Sequence, residues 1–304
     1  MNAAAPRVTV IMATWNWSSV LPFSIRSVLQ QSYGDFELLV VGDGCTDDSE
    51  GVVSAFEDPR VRWINLPENH GHQSAANNEG LRQARGELIA YLGHDDLWLP
   101  HHLALMVAAL DGGADIAWGI ARMVAPSHPE VDGAHAVAHR GPGSWVPPSA
   151  IMHRKAFTDL AGGWRDRREL ETDPETELWT RLEAAGARTE AVPRLTIVKF
   201  PAATRRDVYR EKPCHEQATW LARIESEADF EPVELGRSLM HAARFRAKPY
   251  TELLAEVASR TARGAARRLL PGGARRSQQK IFQRRLKYKG VASLDLNQRG
   301  TGND

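Results

Sequence analysis

The chain has 304 residues, of which 42% are hydrophobic and 25% are charged, a composition typical of an ordinary folded protein. Its formal net charge is zero, so the bulk charge gives no reason to expect a nucleic-acid partner. The two cysteines, Cys45 and Cys214, are too few for a disulfide framework. The N-terminal apolar run is too short for a secretory signal, and no stretch approaches the roughly 20 apolar residues of a membrane span. We therefore expect a cytoplasmic protein.

Short apolar segments alternate with helical patterns over the first 120 residues. The pattern predicts strands at 7–13, 36–42, 61–65, 87–92 and 114–120. It predicts helices at 18–32, 74–85 and 99–111, the first of them opening on a serine cap. This alternation indicates an α/β fold with a mostly parallel central sheet flanked by helices.

The second half of the sequence is less regular. Residues 121–150 are rich in Gly, Pro and His and are typical of a loop or hairpin. A helix at 174–186 and a strand at 194–201 follow, and the pattern is mainly helical from about Cys214. We predict one domain over residues 1–215 and a helical, basic C-terminal extension over residues 216–304.

The C-terminal part of that extension carries an excess of positive charge. From Thr251 onward there are 12 Lys and Arg against 4 Asp and Glu, which leaves 26 against 34 in the rest of the chain. Residues 259–290 interleave these cations with apolar side chains, a pattern that suits peripheral contact with the inner face of an anionic membrane. The same pattern is explained by a solvated tail that binds to the acidic part of the chain before Thr251. Both hypotheses stay open.

Polar residues follow each of the first four predicted strands. The segments are "TWNW" after the first, "GDGCTDD" after the second, "PENHG" after the third and "GHDD" after the fourth. In parallel sheets, ligands bind at the carboxyl ends of the strands. The adjacent acids Asp95 and Asp96 repel each other unless a positive charge lies between them, and hard divalent cations prefer such oxygen ligands. Capping of the following helix by Asp96 is the structural alternative.

Several other kinds of site are disfavoured. The glycines near Asp43 lack the third glycine of a dinucleotide fingerprint, and the sequence contains no phosphate-binding P-loop motif. His94 has no Cys or His neighbours at zinc-ligand spacing.

Four segments together resemble family 2 glycosyltransferases of the GT-A fold. They are "VTVIMATWNW", "LPFSIRSVLQQSYGDFELLVVGDGCTDDS", "INLPENHGHQSAANNEGLRQARGELIAYLGHDD" and "WVPPSAIMHRKAFTDLAGGW", and the match continues to "ELWTRL". The resemblance implies a GT-A domain in which a sugar is transferred with inversion from a nucleotide-diphosphate donor, a UDP-sugar above all. It also implies Mg²⁺ or Mn²⁺ at the diphosphate, and a carbohydrate, lipid-linked or small-molecule acceptor.

The resemblance assigns roles to individual residues. Thr14 and Asn16 fall where the family contacts the nucleoside, and Asp43 falls on the carboxylate that reads the uracil edge. Asp95 and Asp96 fall on the two carboxylates that contact the ribose and the metal ion in the family. The resemblance thus implies that a divalent cation offsets the repulsion between these two acids. The chain departs from the family in having Gly42 and Gly93 where the family often has further acids.

The family places its catalytic base just before the helix that contains "ELWTRL". Glu175 matches this position best by its spacing to Trp179, and Asp173 is second. Asp173 also suits the cap of that helix, with Pro174 at its first position. Basic groups after the last predicted strand are candidates for contacts with the diphosphate, and they are Lys199, Arg205, Arg206 and His215.

Two other functions stay open. A nucleotidyltransferase that makes sugar nucleotides shares the sheet and the metal-binding acids, although "MATWNWSSV" lacks the Gly-rich basic signature of that class. A catalytically silent nucleotide-sugar-binding protein is the third hypothesis.

Overall fold

The computed structural model describes residues 5–128, 131–135 and 145–246. The strands in these ranges are β1 (Val8–Thr14), β2 (Phe36–Gly42), β3 (Val61–Asn65), β4 (Leu88–Tyr91), β5 (Leu97–Trp98), β6 (Ile116–Met123), β7 (Gly133–His135), β8 (Ile151–Arg154) and β9 (Thr189–Lys199). The α-helices are α1 (Leu21–Leu29), α2 (Ser49–Ser54), α3 (Gln73–Gln83), α4 (His102–Asp111), α5 (Lys155–Ala161), α6 (Pro174–Ala184), α7 (Val208–Glu211), α8 (His215–Ser226) and α9 (Phe230–Arg246).

All the described strands form one sheet in the order β3-β2-β1-β4-β8-β6-β9-β5, with β7 paired to β6. β1 is parallel to β2 and β4, and β2 is parallel to β3. β8 is antiparallel to both β4 and β6, and β9 is parallel to β6. Six strands therefore run in the same direction, so the prediction of an α/β fold with a mostly parallel sheet and flanking helices is confirmed.

The sequence analysis did not predict β5, β7 or β8. As a result, the strand expected at 114–120, which is β6, does not lie beside β4 but is separated from it by β8. These three strands have only two to four residues each. Such short segments carry too little periodic pattern to be distinguished from loop.

The inner strands are apolar because helices cover both faces of the sheet. Every residue of β2 and β4 is buried, and so is every residue of β1 except Ala13. Strands buried on both faces lose the alternation of polar and apolar residues that marks a half-exposed strand. Their polar chemistry is therefore confined to the strand ends and to the loops that follow them.

Helix α1 begins later than the sequence suggested. It starts at Leu21 with Pro22 in its first turn, and no side chain caps it. The expected serine cap is wrong because the backbone N–H of Ser18 donates to Oδ2 of Asp47 at 2.9 Å, which holds this serine in the loop after β1.

The first helices of the predicted C-terminal extension pack on the sheet. Leu221 and Ile224 of α8, with Phe230 of α9, share a buried cluster with residues of β5 and β9 such as Leu97 and Val198. The boundary between residues 215 and 216 stays a prediction, and the basic segment 259–290 lies outside the described residues. None of the helices described is both long enough and apolar enough to cross a membrane.

Candidate functional site

A cavity of about 460 Å³ opens where several strands end. Its wall contains residues at or just beyond the carboxyl ends of β1, β2, β4, β6 and β9, namely Thr14, Asp43, Leu92, Gly93, His94, Asp95, Met123 and Lys199. Glu175 of α6 and Trp145 also line this cavity. The polar loops that the sequence predicted after β1, β2 and β4 therefore meet at one site. Ligand sites at the carboxyl ends of the strands are expected in a mostly parallel sheet.

The loop after β1 is held to the loop after β2 by Asn16. Its Oδ1 accepts the backbone N–H of Thr46 at 2.7 Å and that of Asp47 at 3.2 Å. Asn16 adopts a positive φ of 44°, a conformation that asparagine tolerates better than most residues. Thr14, by contrast, lines the cavity, and its buried Oγ1 has no hydrogen-bond partner in the described structure. The structure thus brings Thr14 to the site and gives Asn16 a supporting position outside the wall.

Asp43 lines the cavity but is 2% exposed, and its carboxylate is already engaged. Oδ1 accepts the backbone N–H of His70 at 2.9 Å, and Oδ2 accepts that of Gly71 at 3.0 Å. The Nδ1 atom of His70 lies 3.1 Å from Oδ1 as well. Asp43 therefore fixes the loop between β3 and α3 to the end of β2, and its predicted contact with uracil stays a prediction.

The positive charge nearest to Asp96 is Lys199. The antiparallel register that places Leu97 of β5 opposite Val198 of β9 brings these two residues together. Lys199 Nζ donates to Asp96 Oδ2 at 2.7 Å, and Ser149 Oγ donates to the same oxygen at 2.5 Å. The backbone N–H of Phe200 donates to Oδ1 at 3.1 Å, and Asp96 is fully buried. Both oxygens are thus occupied by protein donors, so metal binding by Asp96 stays a prediction that would require these bonds to rearrange. The alternative of a helix cap is wrong because α4 begins only at His102.

Asp95 differs from its neighbour because it lines the cavity and no other described residue hydrogen-bonds to its carboxylate. Burial and the adjacent charge of Asp96 raise the pKa of Asp95. Burial alone would lower the pKa of Lys199, but the charges of Asp96 and Asp95 raise it above its ordinary value. The partly buried ammonium group of Lys199 and the carboxylate of Asp95 thus both line the cavity.

The described residues offer few ligands for a divalent cation. No group of three or more His, Cys, Asp and Glu side chains that could hold a metal ion occurs among the described residues. Mg²⁺, however, is commonly bound by only one or two carboxylates, with substrate phosphates and water completing its shell. The free carboxylate of Asp95 fits one such ligand position. The residues present therefore suit a cation that arrives together with a diphosphate.

The two acids at the start of α6 have different environments. Asp173 caps the helix, since its Oδ2 accepts the backbone N–H of Thr176 at 3.2 Å and its Oδ1 accepts the Thr176 hydroxyl at 2.9 Å. Glu175 lies in the cavity wall, and its Oε2 is buried without a hydrogen-bond partner in the described part of the chain. Burial, and then the charge of Asp173, raise the pKa of Glu175. Glu175 is therefore the acid that faces the cavity.

Of the four basic residues predicted to contact a diphosphate, Arg205, Arg206 and His215 do not line this cavity. Arg205 is paired with Glu216 at 2.7 Å and donates to the carbonyl of Val124. The Arg206 side chain is 97% exposed, and His215 is exposed at the start of α8. Lys199, the remaining candidate in that group, is the cation that the structure brings to the site.

Sequence reasoning missed two residues that shape the site, Trp145 and Ser149. Trp145 Nε1 donates to Glu175 Oε1 at 3.5 Å, and Ser149 holds Asp96 as described above. Both lie in a stretch that resembles the family, "WVPPSA", but neither carries a charge or a motif that names a role. Their roles follow from contacts with residues distant in sequence.

Comparison with known proteins finds similarity over part of the chain. Residues 9–137 match the family model described as "Glycosyl transferase family 2". Among curated proteins, 103 residues are 33% identical to the UDP-Glc:alpha-D-GlcNAc-diphosphoundecaprenol beta-1,3-glucosyltransferase WfgD of Escherichia coli, over 34% of this chain and 40% of WfgD. The matches span only 12–40% of the length of such curated relatives.

Solved structures show the same fold at low identity. S. aureus TarS in complex with UDP aligns with a TM-score of 0.55 and 16% identity, over 73% of this chain and 72% of that structure. The mannosyltransferase PcManGT from Pyrobaculum calidifontis, in complex with GDP-Man and Mn²⁺, aligns with a TM-score of 0.52 and 20% identity, over 95% of this chain and 87% of that one. These likenesses confirm the predicted GT-A fold. The sequence match to the family 2 model is to residues 9–137, which is less than half of the chain.

Proposed function

We propose that the protein is an inverting glycosyltransferase that moves a sugar from a UDP-sugar to an acceptor hydroxyl. One observation carries the proposal: Glu175 presents a buried, unpartnered carboxylate oxygen in the same cavity that holds the free carboxylate of Asp95. A proton acceptor and a ligand for a phosphate-bound cation are the two groups that such a displacement requires. The family match supports the reaction class.

In this proposal the acceptor oxygen attacks the anomeric carbon while the bond from that carbon to the phosphate oxygen breaks. Glu175 Oε2 takes the hydroxyl proton, and the nucleoside diphosphate leaves with the bonding electron pair. The raised pKa of Glu175 brings its basicity closer to neutral pH, where a general base works best. Asp95 would hold Mg²⁺ or Mn²⁺, which would supply Lewis-acid stabilisation of the leaving diphosphate. Lys199 adds a resident positive charge at the same edge of the cavity.

A UDP-sugar is proposed as donor for two reasons. TarS was solved with UDP and with UDP-GlcNAc, and the name of WfgD specifies UDP-Glc. The opposing observation is the GDP-Man bound to PcManGT. Since Asp43 is occupied by the 70–71 loop, base selection would rest on how that loop meets the nucleobase. The acceptor is proposed to be a carbohydrate or a lipid-linked sugar, and the acceptor named for WfgD is of the latter kind.

Donor binding is tested by thermal shift with UDP-, GDP- and dTDP-sugars, each with and without Mn²⁺. A ligand that binds only the folded state stabilises it by mass action. We expect the largest shift from a UDP-sugar with Mn²⁺. Equal shifts for all three bases would reject the UDP preference, and no shift for any of them would reject a nucleotide-sugar site.

Catalysis is tested by the release of nucleoside diphosphate from Glu175→Gln, with Asp173→Asn as matched control. Glutamine keeps the size of the side chain but does not accept the proton, so turnover should fall by roughly 10²–10⁴ while donor binding is kept. Asparagine caps helices about as well as aspartate, so Asp173→Asn should retain most activity. The reverse result would assign the base to Asp173.

A further inference from the structure

The proton-accepting carboxylate assigned above has one side-chain hydrogen-bond donor, and that donor has no assigned role. Trp145 Nε1 lies 3.5 Å from Glu175 Oε1, and both residues line the cavity. The other oxygen of Glu175, Oε2, is buried and unpartnered in the described structure. The two oxygens of the Glu175 carboxylate therefore differ. Oε1 accepts a hydrogen bond from the indole, and Oε2 is available to a ligand in the cavity.

The segment that carries Trp145 is fixed at several points. The backbone carbonyl of Val146 accepts the indole N–H of Trp179 at 3.4 Å, and Val146 is 1% exposed. Glu175 and Trp179 are one helical turn apart on α6, so this helix contacts the segment at two successive residues, 145 and 146. Pro147 and Pro148 follow and restrict the backbone further.

The far end of the same segment holds the acid pair. Ser149 Oγ donates to Asp96 Oδ2 at 2.5 Å and accepts the backbone N–H of Gly93 at 3.1 Å. Its carbonyl accepts the indole N–H of Trp98 at 2.7 Å. Residues 145–149 therefore connect Glu175 at one end with the loop of Asp95 and Asp96 at the other. A shift of this segment would move the proton acceptor relative to the carboxylates on the donor side.

We propose that Trp145 is a positioning residue for the transfer reaction, and that its indole N–H orients Glu175 so that Oε2 faces the acceptor hydroxyl. This inference rests on the proposed role of Glu175 as base. A hydrogen bond to one oxygen of a carboxylate removes one rotational freedom and leaves the second oxygen as the basic one. Positioning of this kind affects the chemical step far more than donor binding.

The contact also affects the protonation of Glu175. Hydrogen bonding from an N–H favours the ionised carboxylate, so the indole lowers the pKa of Glu175, against the larger effects of burial and of Asp173 that raise it. Lys199 lowers this pKa as well. The other titratable or charged side chains in the cavity wall are Asp43, His72, Tyr91, His94, Asp95 and Tyr209.

The test compares Trp145→Phe with Trp63→Phe, the same substitution at an indole whose N–H has no partner among the described residues. Loss of the Trp145 N–H should lower kcat about 3- to 10-fold with the KM for donor unchanged. It should also move the acidic limb of the kcat/KM profile upward by roughly half to one pH unit, since a bond that favoured the charged form is lost. In the Glu175→Gln background, Trp145→Phe should have no further effect on kcat.

Indole N–H resonances provide a readout that does not depend on turnover. The signal absent from Trp145→Phe identifies Trp145, and its shift should titrate with pH in the wild-type protein but not in Glu175→Gln. A signal that titrates identically in both would overturn the positioning contact. If that signal behaves as expected but Glu175→Gln keeps full turnover, the contact stands and the assignment of Glu175 as base is the part that fails. Unchanged kcat and pH profile in a correctly folded Trp145→Phe would reject the proposed role in the reaction.

Discussion

At the scale of single residues, the buried pair of Asp96 and Lys199 links positions that are 103 residues apart in the sequence. Asp96 is fully buried and the Lys199 side chain is 17% exposed, so neither charge has water as an adequate substitute partner. Removing one partner from such a pair leaves an uncompensated buried charge, which typically costs about 3–5 kcal/mol. The same ion pair therefore stabilises the folded state and positions two residues at the site.

We predict that Asp96→Asn and Lys199→Met each lower the free energy of unfolding by about 3–5 kcal/mol. The double variant should lose much less than the sum, because it leaves no unpaired buried charge. Urea denaturation of the four proteins measures this coupling. Additive losses would show that the two side chains do not stabilise each other, and Asp96 would then be available for a metal.

Glu175 gives a second prediction at this scale, about the pH dependence of stability. Because its pKa is raised in the folded state, the folded protein holds this proton more tightly than the unfolded chain does. The stabilisation from the protonated form is complete below the unfolded pKa of about 4.5. It is lost as the pH rises through the folded value.

Glu175→Gln should therefore be more stable than the wild type at pH 7–8, and this advantage should shrink as the pH falls through the window just above 4.5. Thermal unfolding across that range measures it, with exposed Glu190→Gln on β9 as the control. If both variants show the same pH dependence of stability, the pKa of Glu175 is not raised in the folded state.

At the scale of elements, α9 is attached to the sheet by a cluster of charges around Glu234. Glu234 is 1% exposed and accepts from Arg122 Nε at 3.1 Å, Arg223 Nη2 at 2.6 Å and Arg237 Nη1 at 2.7 Å. Burial alone would raise the pKa of Glu234, but these guanidinium groups lower it below its ordinary value. The stability that it contributes is therefore present above the unfolded pKa and is lost as the pH falls through the folded one.

We predict that Glu234→Gln releases α9 from β6 and α8, because Arg122 and Arg223 then keep only their ion pairs with Asp132 and Glu227, neither of which lies in α9. Amide exchange within α9 should then become at least tenfold faster at pH 7, while exchange within β1 and β2 changes little. In the wild type, the same loss of protection should appear only on acidification below about pH 4.5. Equal acceleration throughout the sheet would mean that the cluster stabilises the whole domain rather than this helix.

The elements that the sequence predicted well are those with long apolar runs. β1, β2 and β4 are buried on both faces, so their composition alone marks them as inner strands. β5 has two residues and β7 has three, and their existence depends on partners in β9 and β6. Strand pairing between distant segments is a tertiary property, and local pattern does not contain it.

The same distinction applies to the site. The convergence of Thr14, Asp43 and Asp95 followed from their places after parallel strands, and the structure brings all three to one cavity. The pairing of Asp96 with Lys199 could not be predicted, because it depends on the antiparallel register of β5 and β9. The contact of Trp145 with Glu175 likewise depends on how a loop meets a helix 30 residues later.

At the scale of the whole molecule, charge is divided between an acidic part and a basic one. Residues from Thr251 onward carry 12 Lys and Arg against 4 Asp and Glu. Each basic side chain near an anionic bilayer contributes about 1 kcal/mol to binding at low salt, and the apolar residues interleaved in 259–290 add a hydrophobic term. The same segment is also attracted by the acidic remainder of the chain, which carries 26 Lys and Arg against 34 Asp and Glu.

We predict that the full chain binds vesicles containing phosphatidylglycerol and that this binding is lost between about 0.1 and 0.5 M salt, since screening shortens the reach of surface charges. Replacing Arg275, Arg276, Arg284 and Arg285 by Gln should abolish co-sedimentation without changing donor-induced thermal shifts. Vesicles of neutral lipid provide the control. If the wild type stays in the supernatant with anionic vesicles at low salt, the segment does not recruit the protein to membranes, and docking on the acidic body becomes the better explanation of its charge.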